Sequence, residues 1–133
     1  KMAEHLLPFH TCNFTHRKKK MTANNLEEKN CVPCEGGVEP LDMTAAQQIS
    51  QAIDPEWIIS DDAKHIEREF KFSNYNQTIS FVNAVAWIAE SEGHHPDLVV
   101  KYGSCLVIYS THSIGGLSEN DFICAKKIDN MIS

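Results

Sequence analysis

From His65 to Phe72 the chain runs HIEREFKF, with Ile66, Phe70 and Phe72 on one side of an extended backbone and Glu67, Glu69 and Lys71 on the other. A period of two marks a strand with one buried and one wet face. It is not the continuously apolar pattern of a parallel sheet covered on both sides. The strand therefore belongs to an antiparallel sheet whose core lies on a single face. Arg68 is the exception on the apolar side.

The flanking segments supply the covering layer. Thr44-Ala-Ala-Gln47 has capping-box spacing, and Ala46, Ile49 and Ile53 recur at helical intervals up to Pro55. Trp57-Ile-Ile-Ser60 is a short β-prone run closed by the turn pair Asp61-Asp62. Asn74, with Gln77 at the third position, caps a long helix whose apolar stripe is Ile79, Val82, Val85, Ala86 and Ala89. Gly93 ends that helix, and Pro96 pushes His95 into extended geometry. Strands at 97–102 and 105–112 follow, and Ser118-Glu-Asn-Asp121 opens a last helix bearing Phe122, Ala125, Ile128 and Ile132. The order α-β-β-α-β-β-α predicts an α+β fold: a four-stranded antiparallel sheet with helices packed on one face.

With 133 residues, the chain has room for one compact domain, expected over 41–133. Residues 1–40 form a basic and polar arm without sustained periodicity, expected to be poorly ordered except near Cys31-Val-Pro-Cys34. That CxxC lacks the second pair a structural zinc site needs, and Gly-Gly follows it where a redox motif would open a helix. The five cysteines are an odd number, and Cys105 and Cys124 fall inside apolar patterns as small buried residues. No secretory signal opens the sequence, so a reducing, cytoplasmic location is expected. A net charge of −6 argues against direct nucleic-acid binding, and no apolar run approaches membrane-spanning length. The basic run His16–Lys20 is most simply a solvated charge cluster.

Histidine placement carries the chemistry. Residues 92–112 read EGHHPDLVVKYGSCLVIYSTH. A two-residue turn at Gly103-Ser104 would set Tyr102 opposite Cys105 and, by the same arithmetic, His95 opposite His112 on one face of the sheet. His94 ends the long helix, where the dipole favours its protonated form, and Glu90 lies one turn before it. Three imidazoles and a carboxylate thus meet where a helix end joins two strand ends. Two of them flanking a small molecule can act as acid and base near neutral pH. A zinc or iron site is the alternative use, weakened because adjacent strand residues such as His94 and His95 point apart. Asp121 is most simply a helix cap for Ser118.

The run Glu90-Ser-Glu-Gly-His94-His95-Pro96, then Tyr102, Ser110-Thr111-His112, Gly116-Leu117-Ser118 and Asp121, resembles the pterin-4a-carbinolamine dehydratase family. The resemblance extends back through Phe81, Phe70-Lys-Phe72 and Trp57 and covers about residues 40–132. It implies dehydration of 4a-hydroxytetrahydropterin to quinonoid dihydropterin, without metal or organic cofactor, by a dimer or tetramer of identical chains. It implies acid–base roles for His94 and His112, a substrate-holding role for His95 and supporting roles for Glu90 and Asp121. Pro96 and the run Thr111, His112, Ser113 and Ile114 would line the site. Animal members also bind a transcription factor; no residue of this chain points to that second activity, and a non-catalytic dimerisation module is the alternative function.

Overall fold

The computed structural model describes residues 25–33 and 36–133. The expected disorder of the arm's first 24 residues, the run His16–Lys20 and Cys34 lie outside the described residues. Helix α1 spans Met43–Ser50, strand β1 Ile58–Ile59, β2 Ile66–Lys71, helix α2 Tyr75–Glu92, β3 Asp97–Lys101, β4 Ser104–Tyr109 and helix α3 Glu119–Ile132. Short 3-10 turns occupy Leu26–Glu28 and His112–Ile114. The four strands form one antiparallel sheet in the order β1-β2-β4-β3. The expected α+β architecture is the observed one. Among the described residues, no helix is long and apolar enough to cross a membrane.

The alternation in β2 does what its period dictates. Ile66 and Phe70 are buried and oppose Tyr109 and Cys105 of β4, which are buried as well. Phe81, Val85 and Ala89 from α2 and Phe122, Ala125 and Ile128 from α3 belong to the same buried core. Arg68, the misfit, pairs with Asp129 of α3 at 2.9 Å and lies 4.4 Å above the Phe70 ring. Asp129 also accepts from Trp57 Nε1 and the Asp54 N–H, both at 2.8 Å. An inward cation is tolerated here because a nearly buried carboxylate answers it.

Local signals were read correctly at some helix ends and misread at others. Asn74 caps α2 by accepting from the Gln77 N–H at 2.9 Å, and Gly93 closes it in the left-handed conformation (φ 63°). The cap of α1 is Asp42, whose Oδ1 accepts from the Ala45 N–H, rather than Thr44. The buried stripe of α2 is Thr78, Phe81, Val85 and Ala89, while Ala86 faces solvent. Thr78 belongs inside because its hydroxyl donates to the Tyr102 carbonyl at 2.9 Å, tying α2 to the β3–β4 turn.

That turn also corrects the hairpin register. Tyr102-Gly103 is the turn, Lys101 pairs with Ser104, and Val100 pairs with Cys105. The Phe72 N–H donates to the Gly103 carbonyl at 2.8 Å, and a Cβ on Gly103 would lie 2.9 Å from the Phe72 carbonyl oxygen. Glycine is there for close approach of β2 and not to supply a positive φ. Strand β4 ends at Tyr109, so His112 leaves the ladder and sits in a 3-10 turn. His95 and His112 are therefore not an opposed pair.

Candidate active site

Three tertiary devices bring the histidines together in place of the hairpin register. The first is the end of α2. Gly93 turns the chain, the His94 N–H donates back to the Ala89 carbonyl at 3.1 Å, and the His94 ring is set against the core. That ring stacks on buried Tyr109, with centroids 5.5 Å apart and planes 13° from parallel. The second is the start of α3, where Asp121 occupies the third helical position. The third is a loop closed by Thr111 and Gly116, whose mutual hydrogen bonds pinch off the turn bearing His112.

Asp121 links all three. It is fully buried, and His94 Nε2 lies 2.6 Å from its Oδ1. Its Oδ2 accepts from the Thr111 hydroxyl at 2.8 Å and from the Ser118 N–H at 2.9 Å. The Ser118 hydroxyl lies 2.7 Å from that of Thr111, which can accept from it while donating to Asp121. The capping role expected of Asp121 is real, and the same carboxylate also orients an imidazole. Burial acts to lower the His94 pKa, but the hydrogen bond and negative charge of Asp121 outweigh it, so the net shift is upward.

The sign of that shift has a consequence for stability. A histidine whose folded pKa is raised contributes stability fully present below its unfolded value, near 6.5, and lost as pH rises through the folded value. The urea unfolding midpoint should therefore fall as pH climbs above about 6.5, and His94→Gln should remove that component. A wild-type slope identical to that of His94→Gln across this range would contradict the pairing.

The other site residues fall as follows. His95 is mostly exposed, with Nε2 3.0 Å from Oε1 of exposed Glu90. His112 and Ser113 are exposed, Ile114 and Pro96 half-buried, and Thr111 buried. His94, His95, His112, Thr111 and Ser113 line one cavity of about 440 Å³. Pro96 and Ile114 do not line it; Pro96 leads the chain from His95 into β3, and Ile114 closes the turn after His112. Glu90 reaches the site through His95. His112 also borders a second cavity of about 390 Å³, together with His65 and Lys64. No three His, Cys, Asp or Glu side chains among the described residues are grouped to hold a metal ion.

The cavity has walls that sequence reasoning missed: Cys31, Val32 and Pro33 from the arm, with Glu92 and Asn120 beneath them. Leu26 anchors this segment in the core, and the Cys31 thiol lies 3.6 Å from that of Cys124 on α3. A leucine shortly before Cys31 was the available hint. Its partners lie some ninety residues away, which no local pattern reveals.

In chemical terms the cavity offers one imidazole backed by a buried carboxylate, two exposed imidazoles and several hydroxyl and apolar groups. Such a set can give and take protons on either side of a small polar molecule.

Known proteins share both the sequence and the fold. The family model for pterin 4 alpha carbinolamine dehydratase matches residues 37–131. A protein of Nitrosospira multiformis is 52% identical over 110 residues, covering 83% of this chain and 95% of its own length. One from Nitrosomonas europaea is 51% identical over 105 residues, covering 79% and 91%. Both are provisionally named pterin-4-alpha-carbinolamine dehydratase. The crystal structure of a transcriptional coactivator/pterin dehydratase from Brucella melitensis superposes with a TM-score of 0.66 at 28% identity, covering 71% of this chain and all of that one. A match running through nearly the whole described domain, histidines and Asp121 included, makes this chain a member of the pterin 4 alpha carbinolamine dehydratase family.

Proposed function

We propose that this protein dehydrates 4a-hydroxytetrahydropterin to quinonoid dihydropterin and water by histidine acid–base catalysis. The observation that carries this reading is the cavity shared by His94, His95 and His112, with His94 backed by buried Asp121. In the reaction the C4a–O bond breaks, the hydroxyl leaves as water, the N5–H proton departs and a C4a=N5 double bond forms. An acid is needed beside the hydroxyl and a base beside N5. His94, kept cationic over a wider pH range by Asp121, suits the acid; the nitrogen not bonded to Asp121 would deliver the proton. His112, exposed across the cavity, suits the base. His95 holds the substrate edge, steadied by Glu90, while Thr111 and Ser113 complete the lining and Pro96 and Ile114 fix the backbone beside it. The reaction written this way needs no metal or organic cofactor.

The same reading includes assembly of identical chains. The open face of the sheet supports it: Val99 and Leu106 pair there beside Ile108, and Val99 and Ile58 are well exposed. Work in the cytoplasm follows from the reducing location that the cysteine pattern favours.

Purified protein mixed with 4a-hydroxytetrahydropterin should form quinonoid dihydropterin well above the spontaneous rate. Conversion at the spontaneous rate contradicts the reading. A second reading, a non-catalytic dimerisation or coactivator module, is favoured by the name of the Brucella melitensis relative. Full partner binding by a variant lacking all three histidines, with no turnover by wild type, would select it.

A further inference from the structure

One wall of the histidine cavity comes from outside the frame of sheet and helices. Cys31, Val32 and Pro33 line the space beside the three imidazoles. A single side chain grips the Val32 peptide at both ends: its N–H donates to Asn120 Oδ1 at 3.1 Å, and its carbonyl accepts from Asn120 Nδ2 at 2.6 Å. Just before it, the Cys31 N–H donates to Glu92 Oε2 at 2.8 Å. Glu92 is itself ion-paired with Lys127. Burial acts to raise the Glu92 pKa, but Lys127 and the Cys31 amide outweigh it and hold the carboxyl low.

Asn120 is only 5% exposed, yet it directs both amide functions to this one peptide. The side chain held in place by that clamp is nonetheless left uncovered, with Val32 66% exposed. Both of its backbone groups are engaged by Asn120, which leaves the isopropyl group as the part of the residue with no hydrogen bond to make. A buried polar clamp that fixes an apolar group at a cavity mouth is a costly way to hold a surface valine. It is a sensible way to build a binding wall.

We propose that Val32, presented by Asn120 and Glu92, is a specificity-determining residue that covers one face of a flat bicyclic ring bound among the histidines. The proposal rests on the pterin reading above and extends it to residues outside the histidine set. Imidazoles and hydroxyls address the edges of such a ring, where its nitrogens and oxygens lie. Its face has no comparable hydrogen bond to offer, so an apolar group suits it best. Asn120 and Glu92 act through Val32 and are positioning residues.

The test uses full-length Val32→Ala, Val32→Ile and Asn120→Ala. Two quantities are read for each: steady-state dehydration of 4a-hydroxytetrahydropterin, and equilibrium binding of 7,8-dihydropterin, which has no 4a-hydroxyl to lose. Val32→Ala should raise KM and the dihydropterin Kd about fivefold, the loss falling on KM rather than kcat. Its thermal midpoint should match wild type, because the side chain packs against nothing in the core. Val32→Ile should keep both constants close to wild type, and Asn120→Ala should weaken binding in the same direction as Val32→Ala. Wild-type KM and Kd in both Val32→Ala and Asn120→Ala, with turnover intact, overturn the wall and leave the pterin reading standing. Wild-type protein that neither turns over the carbinolamine nor binds dihydropterin brings down the pterin reading, and the wall with it.

Discussion

Asp121→Ala is expected to destabilise the fold by about 3–5 kcal/mol, because it strips a fully buried carboxylate from three donors at once. His94 Nε2, the Thr111 hydroxyl and the Ser118 N–H would then lose an acceptor that sits at a fully buried position, and each unsatisfied group is expensive. Three separate chain segments also lose their common tie: the end of α2, the loop around Thr111 and the start of α3. Asp121→Asn should cost less, because its amide oxygen still accepts from Ser118 or Thr111. Without the carboxylate charge, however, the fall of stability with rising pH attributed to His94 should disappear. Urea titrations at several pH values measure both effects. An Asp121→Ala protein within about 1 kcal/mol of wild type would contradict the role given to this carboxylate.

His94→Gln should lower kcat about 10²–10⁴-fold, the usual contribution of a positioned acid or base. Glutamine is the informative replacement, since its amide can still donate to Asp121 while it cannot carry a proton at neutral pH. The loss should thus fall on turnover, and at a pH above the His94 titration, where its ion pair with Asp121 no longer adds stability, the unfolding midpoint should lie close to wild type. His95→Ala should instead act mainly on KM, because His95 is exposed and its partner Glu90 is exposed too. A His94→Gln variant with kcat within about threefold of wild type removes His94 from the proposed proton-transfer step.

These expectations depend on features that were legible in the sequence to very different degrees. The period-two pattern around Ile66 and Phe70 and the Asn74 cap are local, and local chemistry fixes them. The hairpin register was not local. Gly103 looked like the first residue of a two-residue turn with Ser104, but the Phe72 backbone and the Thr78 hydroxyl, both from other elements, choose the turn. The resulting shift moves each partner by two residues and so keeps every side chain on its expected face. For that reason the histidines still gather although His95 and His112 are not opposed. Thr78 was absent from the expected apolar stripe for the same cause, since its burial depends on a carbonyl in a distant turn.

Asp121 shows the limit in another way. Its cap role follows from a three-residue spacing to Ser118, whereas its bond to His94 spans 27 residues and had no spacing to announce it. The wall at Cys31–Pro33 was further out of reach. Its anchors on Asn120 lie 88 residues along the chain, and the segment's own composition resembles an arm. In each case the missed contact is long in sequence and polar, a kind of contact that hydrophobic periodicity does not record.

The central claim is that the clustered histidines perform the dehydration. Its most direct test is the ultraviolet decay of 4a-hydroxytetrahydropterin with wild type, with His94→Gln/His112→Ala, and with no protein. Wild type should accelerate the decay at least about 100-fold, and the double variant should fall close to the spontaneous rate. A wild-type trace that overlays the spontaneous one, or a double variant as fast as wild type, would contradict it.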